Sequence, residues 1–376
     1  MKYAIFSPLY APHVGGVENF TKNLSAALAR KGNSILVVTM NIDSLPLQET
    51  EISGVNVVRL PCYALMDGRL PWPHKNAEYN LLLEKALAWG ADRVLVNTRF
   101  YPLSIAGLEY ARAINAPAVM LDHGSAYLTL GSSLADVSIK CYEHVVTKRA
   151  KSYEPTFAGI SEKSATWLKT FGIATDIVIP NAINAADFRA QSSSRDFRAE
   201  LGIASEDSIV VFVGRLEPEK GCLALVDAAV AFRDEQVDFV LAGDGSLRSE
   251  IARKAGGNVY LLGNVDRGDL ASLLLESDLF CLPTRSEGFC TSLLEASACG
   301  LPAVITDVGG AHELIPSDDF GLIIKEATPF SIEAAIREML SRGNQGLQNA
   351  GDLCRNLVER HFTWDSSVCA LEQAFE

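Results

Sequence analysis

The sequence predicts an α/β protein made of two doubly wound domains that face each other across a cleft. Three observations lead there. Short apolar runs alternate with amphipathic helical stretches along nearly the whole chain, which is the pattern of parallel sheets covered on both faces. The length, 376 residues, is long for one domain and ordinary for two. A polar, serine-rich stretch, Gln191–Arg195, falls between two such alternating series, as expected near a domain hinge.

Taken in order, Tyr3–Ser7 reads as a strand and Asn19–Arg30 as an amphipathic helix ending at Gly32. Ile35–Met40 and Val55–Leu60 read as strands, and Asn76–Ala88 as a helix. Strand Val94–Asn97, helix Leu103–Ile114 and strand Ala118–Asp122 follow. A long helical region over about Leu134–Ser152 precedes strand Thr156–Ile160 and helix Glu162–Phe171. Pro180 and Asn181 break the alternation within Ile177–Phe188. The second series has strands at Ser208–Gly214, Phe239–Ala242, Val259–Leu262, Leu279–Leu282, Ala303–Ile305 and Leu322–Ile324. An amphipathic helix, Trp364–Phe375, closes the chain and is expected to pack back on the first domain. The division is thus 1–182, 183–360 and a terminal helix within 361–376.

Composition narrows the function. Hydrophobic residues at 48% and charged residues at 21% describe a globular protein with a large core. No run of eighteen apolar residues occurs, so no membrane span is expected. The start, Met1 to Phe6, reads as a strand rather than a signal peptide. A net charge of −13 argues against nucleic acid as a partner, because phosphate backbones need a basic face. Eight cysteines without metal-ligand spacing point to reduced thiols and a cytoplasmic location. The six histidines show no metal-ligand pairing, so neither a metal nor another cofactor is expected.

The most informative stretch is Thr284 to Thr306, TRSEGFCTSLLEASACGLPAVIT. It reads as a loop that opens onto a helix N-terminus, where unpaired N–H groups and a partial positive charge favour an anion. Glu287 lies before that helix and Glu295 inside it. Two carboxylates would repel a bare anion, but they suit a ligand that also offers hydroxyl groups, as a nucleotide sugar does. Ser292 and Glu295 equally fit a capping box, which would make Glu295 purely structural. The stretch alone leaves both readings open.

Three other stretches follow strands and so point toward the carboxyl edges of the sheets, where open α/β sheets bind ligands. Gly15 and Gly16, in the loop Pro12 to Glu18, let backbone approach a phosphate. Arg215 and Lys220, in Gly214 to Gly221, lie within reach of one diphosphate, or belong to an exposed salt-bridged loop. His123 ends the strand that includes Asp122 and precedes Gly124.

Together GRLEPEKG, LAGDGSLR, LLGNVDRGDL and the Thr284–Thr306 stretch resemble the family 4 retaining glycosyltransferases, which have two Rossmann-like domains (the GT-B fold). PLYAPHVGGVENFTKNLSAALARKG resembles the family's opening glycine-rich loop and first helix, and the likeness fades between about 60 and 150, where acceptors are usually held. The resemblance implies that Glu287 contacts hydroxyls of the transferred sugar and that Glu295 holds the ribose. It implies that the amides of Gly288, Phe289 and Cys290, with Thr291 beside them, approach sugar and diphosphate. Gly214, Arg215 and Lys220 would serve the diphosphate, Asn264 and Val265 the base, and Gly15 and Gly16 the closing first domain. His123 is similar to the family's active-site histidine, which stabilises developing oxocarbenium charge. Cys290 and Ala182 stand where many relatives have glycine, which leaves the identity of the donor sugar open.

The resemblance therefore implies a metal-independent hexosyltransferase of polysaccharide biosynthesis, with a UDP-sugar as the expected donor. A saccharide or lipid-linked hydroxyl would be the acceptor. A basic, aromatic stretch from Lys140 to Lys151 offers peripheral contact with the inner membrane face, or is only a solvated helix face. The alternatives are a nucleotide-sugar epimerase, a phosphorylase or other enzyme of the same fold, and a non-catalytic nucleotide-sugar-binding protein. An epimerase would convert donor without acceptor, and a phosphorylase would depend on inorganic phosphate.

Overall fold

The computed structural model describes the whole chain except residues 14, 67 and 129–132 and the side chains of 133–135. The chain divides into two compact units, Met1–Asn181 with Trp364–Glu376, and Ala182–Thr363.

The first unit is built on strands β1 (Lys2–Phe6), β2 (Ser34–Asn41), β3 (Gln48–Thr50), β4 (Asn56–Leu65), β5 (Leu70–Pro73), β6 (Arg93–Asn97), β7 (Ala118–Asp122) and β8 (Thr156–Gly159). Their order is β3-β4-β2-β1-β6-β7-β8, with β5 pairing antiparallel to the far end of β4. Six of them, β4-β2-β1-β6-β7-β8, run parallel, and chain order reverses between β1 and β6. The central strands are apolar on both faces because helices cover both. Tyr3, Ala4, Ile5 and Phe6 of β1 are all buried. Helix starts follow local chemistry: the Asn76 side chain accepts from the Tyr79 amide, and Ser161 from that of Ser164. The closing helix, Trp364–Gln373, belongs to this unit. Trp364 stacks near Phe20, Phe375 meets the edge of Tyr3, and Ser367 Oγ donates to the Pro180 carbonyl at 2.7 Å.

The second unit holds β9 (Ser208–Val213), β10 (Val237–Ala242), β11 (Val259–Gly263), β12 (Leu279–Leu282), β13 (Ala303–Thr306) and β14 (Gly321–Ile324). They form an all-parallel sheet ordered β11-β10-β9-β12-β13-β14, which reverses between β9 and β12. All six residues of β10 are buried, as a central strand of a two-sided sheet requires. Each unit is therefore doubly wound about its own switch point, the place where such sheets take ligands.

Two sequence expectations change. The Gln191–Arg195 stretch is no hinge: the division falls at Asn181 and Ala182, and the stretch is anchored inside the second unit. Ser192 and Ser193 hydrogen-bond Ser272, and Arg195 pairs with Glu200 and Asp269. The break within Ile177–Phe188 also ends sooner than expected, because Asn184 caps a short helix, Ala185–Ala190.

Candidate functional site

At the switch point of the second unit, two loops leave adjacent strands and are stitched together. The loop after β9 carries Gly214 to Gly221, and the loop after β12 carries Pro283 to Cys290. The Glu219 carbonyl accepts from the Arg285 amide at 2.8 Å and from Thr284 Oγ1 at 3.2 Å. Gly221 has φ +71, and a Cβ there would lie 2.0 Å from the Pro283 carbonyl oxygen, so only glycine lets the loops close this tightly.

The result is an ion pair between side chains 67 positions apart: Lys220 Nζ donates to Glu287 Oε1 at 2.5 Å. Both are mostly buried. Arg215, expected beside Lys220, instead points to solvent and pairs with Glu219 at 3.1 Å. Its loop is thus the salt-bridged one at that residue, and a ligand would have to draw the guanidinium away.

The helix after the second loop runs Thr291–Ala298, with Cys290 at its N-cap and no side-chain capping bond. This removes the capping-box reading. Ser292 lies inside the first turn rather than before it, and Glu295 is a turn further in. Glu295 is partly buried, and its side chain makes no hydrogen bond or ion pair among the described residues. Burial pushes its carboxyl up to about 7, opposed only by the more distant charge of Arg267. An unpaired carboxyl held half out of water is costly unless something else pairs with it. One expected contact needs correction. The Cys290 amide, read as facing the ligand, donates to the Gly309 carbonyl at 3.1 Å, and its buried thiol is pushed up to about 12. Phe289 is buried beside it, and Gly288 and Thr291 are partly exposed.

Beside these loops is a cavity of about 200 Å³ lined by Gly214, Arg215, Asn264 and Val265, with Gly243 and Leu270 among the rest. Four residues assigned from two separate sequence stretches thus meet at one hollow. Its walls at Val213, Ala242 and Leu270 are apolar, which suits the face of a planar ring.

In the first unit, His123 stands at the end of β7 with its ring edge-on to Phe20, the centroids 5.1 Å apart. Burial drives its imidazole down to about 3, so it is neutral at physiological pH. Its Nε2 lies 3.0 Å from Asn97 Oδ1. Asn97 Nδ2 donates to Thr21 Oγ1 at 2.9 Å, and that hydroxyl donates onward to the Val17 carbonyl at 2.7 Å. This chain fixes the amide, so Nε2 carries the hydrogen and Nδ1 is left as an acceptor. Asn97 escaped sequence reading. The available signal was a polar residue at the carboxyl end of an apolar strand beside the reversal in strand order.

Behind His123 lies a buried charged trio that was also unread. Arg99, Asp122 and Glu143 are 1%, 0% and 1% exposed. Arg99 donates to Asp122 at 3.2 Å and Glu143 at 2.7 Å, while Phe171 stacks on its guanidinium. Burial raises the Asp122 carboxyl to about 6 despite Arg99. The trio ties the ends of β6 and β7 to the helix Ser133–Lys151, and so holds the backbone on which His123 sits.

At the first helix, Gly16–Arg30, the expected phosphate approach is partly filled. The Glu18 carboxylate folds back so that a Cβ on Gly15 would meet its Oε2 at 2.3 Å. Gly16 is exposed, with nothing within 4 Å of where a Cβ would be. Val14 of the same loop lies outside the described residues. The basic stretch of the helix Ser133–Lys151 is largely committed: Arg149 pairs with Glu109, Lys151 donates to the Phe171 and Gly172 carbonyls, and Lys140 lies over Tyr127. No helix among the described residues is long and apolar enough to cross a membrane.

Two family models match the chain: Glycosyltransferase Family 4 over residues 14–187 and Glycosyl transferases group 1 over 193–360. An uncharacterized glycosyltransferase of Methanocaldococcus jannaschii is 23% identical over 100% of this chain and 98% of its own length. A D-inositol 3-phosphate glycosyltransferase of Jonesia denitrificans is 24% identical over 98% of this chain and 93% of its own. Among solved structures, the Anabaena protein HepE in complex with UDP superposes with a TM-score of 0.76 at 19% identity, covering 99% of both chains. That likeness carries the two-domain GT-B fold.

Proposed function

The chain belongs to the family 4 glycosyltransferases, and from that premise we propose that it moves a sugar from a UDP-sugar to an acceptor hydroxyl with retention of anomeric configuration. The acceptor is a saccharide or a lipid-linked saccharide. The observation that carries the reading is Glu295, a half-buried carboxyl without a side-chain partner among the described residues, in the helix that follows the loop presenting Glu287, itself paired with Lys220. Ribose hydroxyls donating to Glu295 would satisfy it. The cavity at Asn264 and Val265 would take the uracil ring.

Lys220 is assigned to the diphosphate and Glu287 to hydroxyls of the transferred sugar, so the bound donor would replace their mutual contact with one partner for each. Arg215, released from Glu219, would add a second positive charge. These groups and the start of the helix Thr291–Ala298 fill the role of a cation at the leaving group, and no metal is invoked. Gly16 is assigned to the approach of backbone to the donor phosphates.

In the reaction, the bond between the anomeric carbon and the phosphate oxygen breaks, and its electron pair stays on the phosphate. The acceptor oxygen bonds to the same face of the anomeric carbon. Its proton passes to the departing phosphate oxygen, so no separate base is needed. His123 is assigned to the sugar. A neutral imidazole with Nδ1 as acceptor suits growing positive charge on the ring, where an imidazolium would oppose it.

Thermal melts against a panel of UDP-, GDP- and ADP-sugars test this. A UDP-sugar should raise the melting temperature most, by mass action on the native state. A larger rise with a GDP- or ADP-sugar would overturn the donor assignment.

A further inference from the structure

The first unit has a pocket of its own, lined by none of the residues assigned to the donor. It encloses about 300 Å³, at the lower end of ordinary ligand sites, and is lined chiefly by Leu9, Leu70, Phe100, Tyr101, Ile139 and Tyr142. Leu9 follows β1, and Phe100 and Tyr101 follow β6, so the pocket sits where strand order reverses. Both tyrosine hydroxyls are spent on the protein: Tyr101 donates to the Arg69 carbonyl at 3.2 Å and Tyr142 to the Phe100 carbonyl at 2.8 Å. The walls therefore offer rings and methyl groups. A sugar lodged there would leave most of its hydroxyls unpaired, whereas a hydrocarbon would lose nothing.

Two more observations say how such an occupant arrives. The β4–β5 hairpin supplies Met66 and Leu70 to the pocket and exposes a row of large apolar side chains outside it. Tyr63 and Trp72, partners across the two strands, are 53% and 42% exposed, and Leu65 is 44% exposed. Exposed aromatic and aliphatic side chains grouped on one hairpin mark an interaction surface, and Trp with Tyr suits the boundary between water and lipid. At the same rim, the exposed Arg69 guanidinium makes no ion pair among the described residues. His13, also at the pocket, lies 4.0 Å from Glu18, so Arg69 is the cation left to meet an anion.

We propose that this pocket holds the hydrocarbon chain of an amphiphilic, lipid-linked acceptor, drawn from a membrane surface on which the β4–β5 hairpin rests, with Arg69 pairing the phosphate that joins chain to saccharide. This rests on the glycosyltransferase reading above and names its acceptor class. It also moves the membrane contact from the helix Ser133–Lys151 to the hairpin.

The test compares octyl phosphate with methyl phosphate by titration calorimetry on the full chain, with UDP as a separate ligand. Octyl phosphate should bind at least a hundredfold more tightly, since each buried methylene contributes roughly 0.8 kcal/mol. The variant Ile139→Trp, which fills the pocket, should erase that difference and leave UDP affinity unchanged. If Ile139→Trp lowers the melting temperature, Arg69→Ser decides instead, by weakening both phosphates about equally. On phosphatidylcholine vesicles the wild type should co-sediment, and the exposed-surface variant Tyr63→Ser/Trp72→Ser should stay in the supernatant. Equal binding of the two phosphates, or equal sedimentation of wild type and variant, would overturn the proposal. Failure of UDP to bind would overturn the donor reading instead.

Discussion

Replacing Glu295 with glutamine should make the protein more stable and its nucleotide binding worse. The carboxyl rises from its ordinary 4.5 to about 7 because the fold holds it partly out of water without a partner. Each pH unit of such a displacement is about 1.4 kcal/mol, so the ionised group costs the free protein at most about 3.5 kcal/mol. Solvent reaching the half-buried side chain trims this to about 1–3 kcal/mol. Because the folded value lies above the unfolded one, the native state holds an extra proton between about pH 4.5 and 7. Wild-type stability therefore falls relative to the glutamine variant as pH rises through that window, and the gap is complete above it. Thermal melts at pH 4 and pH 8 should show coincident transitions at the first and a higher one for the variant at the second, by roughly 2–4 °C per kcal/mol. The opposite holds for ligand. Loss of hydrogen bonds to a charged acceptor should weaken UDP by roughly tenfold to a hundredfold in calorimetry. At pH 6.5, wild-type binding should also release protons, read from the dependence of the heat on buffer. A variant that is less stable at pH 8, or that binds UDP as wild type does, would show that Glu295 serves the fold and not the ligand.

Asn97→Asp places a carboxylate about 3 Å from His123 Nε2, and at an effective dielectric constant near 20 such a pair is worth roughly 5–6 kcal/mol. That should lift the imidazole from about 3 to roughly 7 and give kcat, at saturating donor, an acid limb near pH 7 that wild type lacks. A profile that superimposes on wild type would refute a role for neutral His123. Lys220→Ala should lower kcat by roughly a hundredfold or more and leave Glu287 without its cation, with an unchanged rate removing Lys220 from the mechanism. Gly221→Ala should destabilise the second unit by roughly 2 kcal/mol or more in denaturant melts, because the methyl group meets the Pro283 carbonyl head-on. A wild-type midpoint would show that the two loops can part without penalty.

The parallel strands were legible because burial on both faces leaves them as plain apolar runs: Ala118–Asp122 and Leu279–Leu282 fall where the sequence puts them. The edge pieces were not. Gln48–Thr50 is three exposed polar residues, and Leu70–Pro73 contains two prolines, tolerable only because it pairs at the margin of the sheet. In the second unit, strand-end logic pointed to Lys220 and Glu287, since each follows a strand that periodicity identifies, whereas Asn264 and Val265 came only from the family resemblance. It could not foresee that Lys220 and Glu287 bond to each other, or that Cys290 gives its amide to Gly309. Those contacts depend on which strands are neighbours, and sequence order hides that where the sheet reverses direction. Asn97 and Arg99 were missed for the same reason, their partners lying 23 to 76 positions away in the chain.

The bond between Lys220 and Glu287 gives the empty enzyme a latch that closes on itself. If Lys220 takes the diphosphate as proposed, inorganic phosphate or a stray nucleotide would have to break that contact and leave the glutamate stranded, which would weaken such anions as competitors. A complete donor would meet both groups at once. When the sugar departs, the glutamate would lose its hydroxyl contacts and turn back to the lysine, loosening the lysine's hold on the spent diphosphate. Turnover would then be assisted by the same contact that guards the resting state.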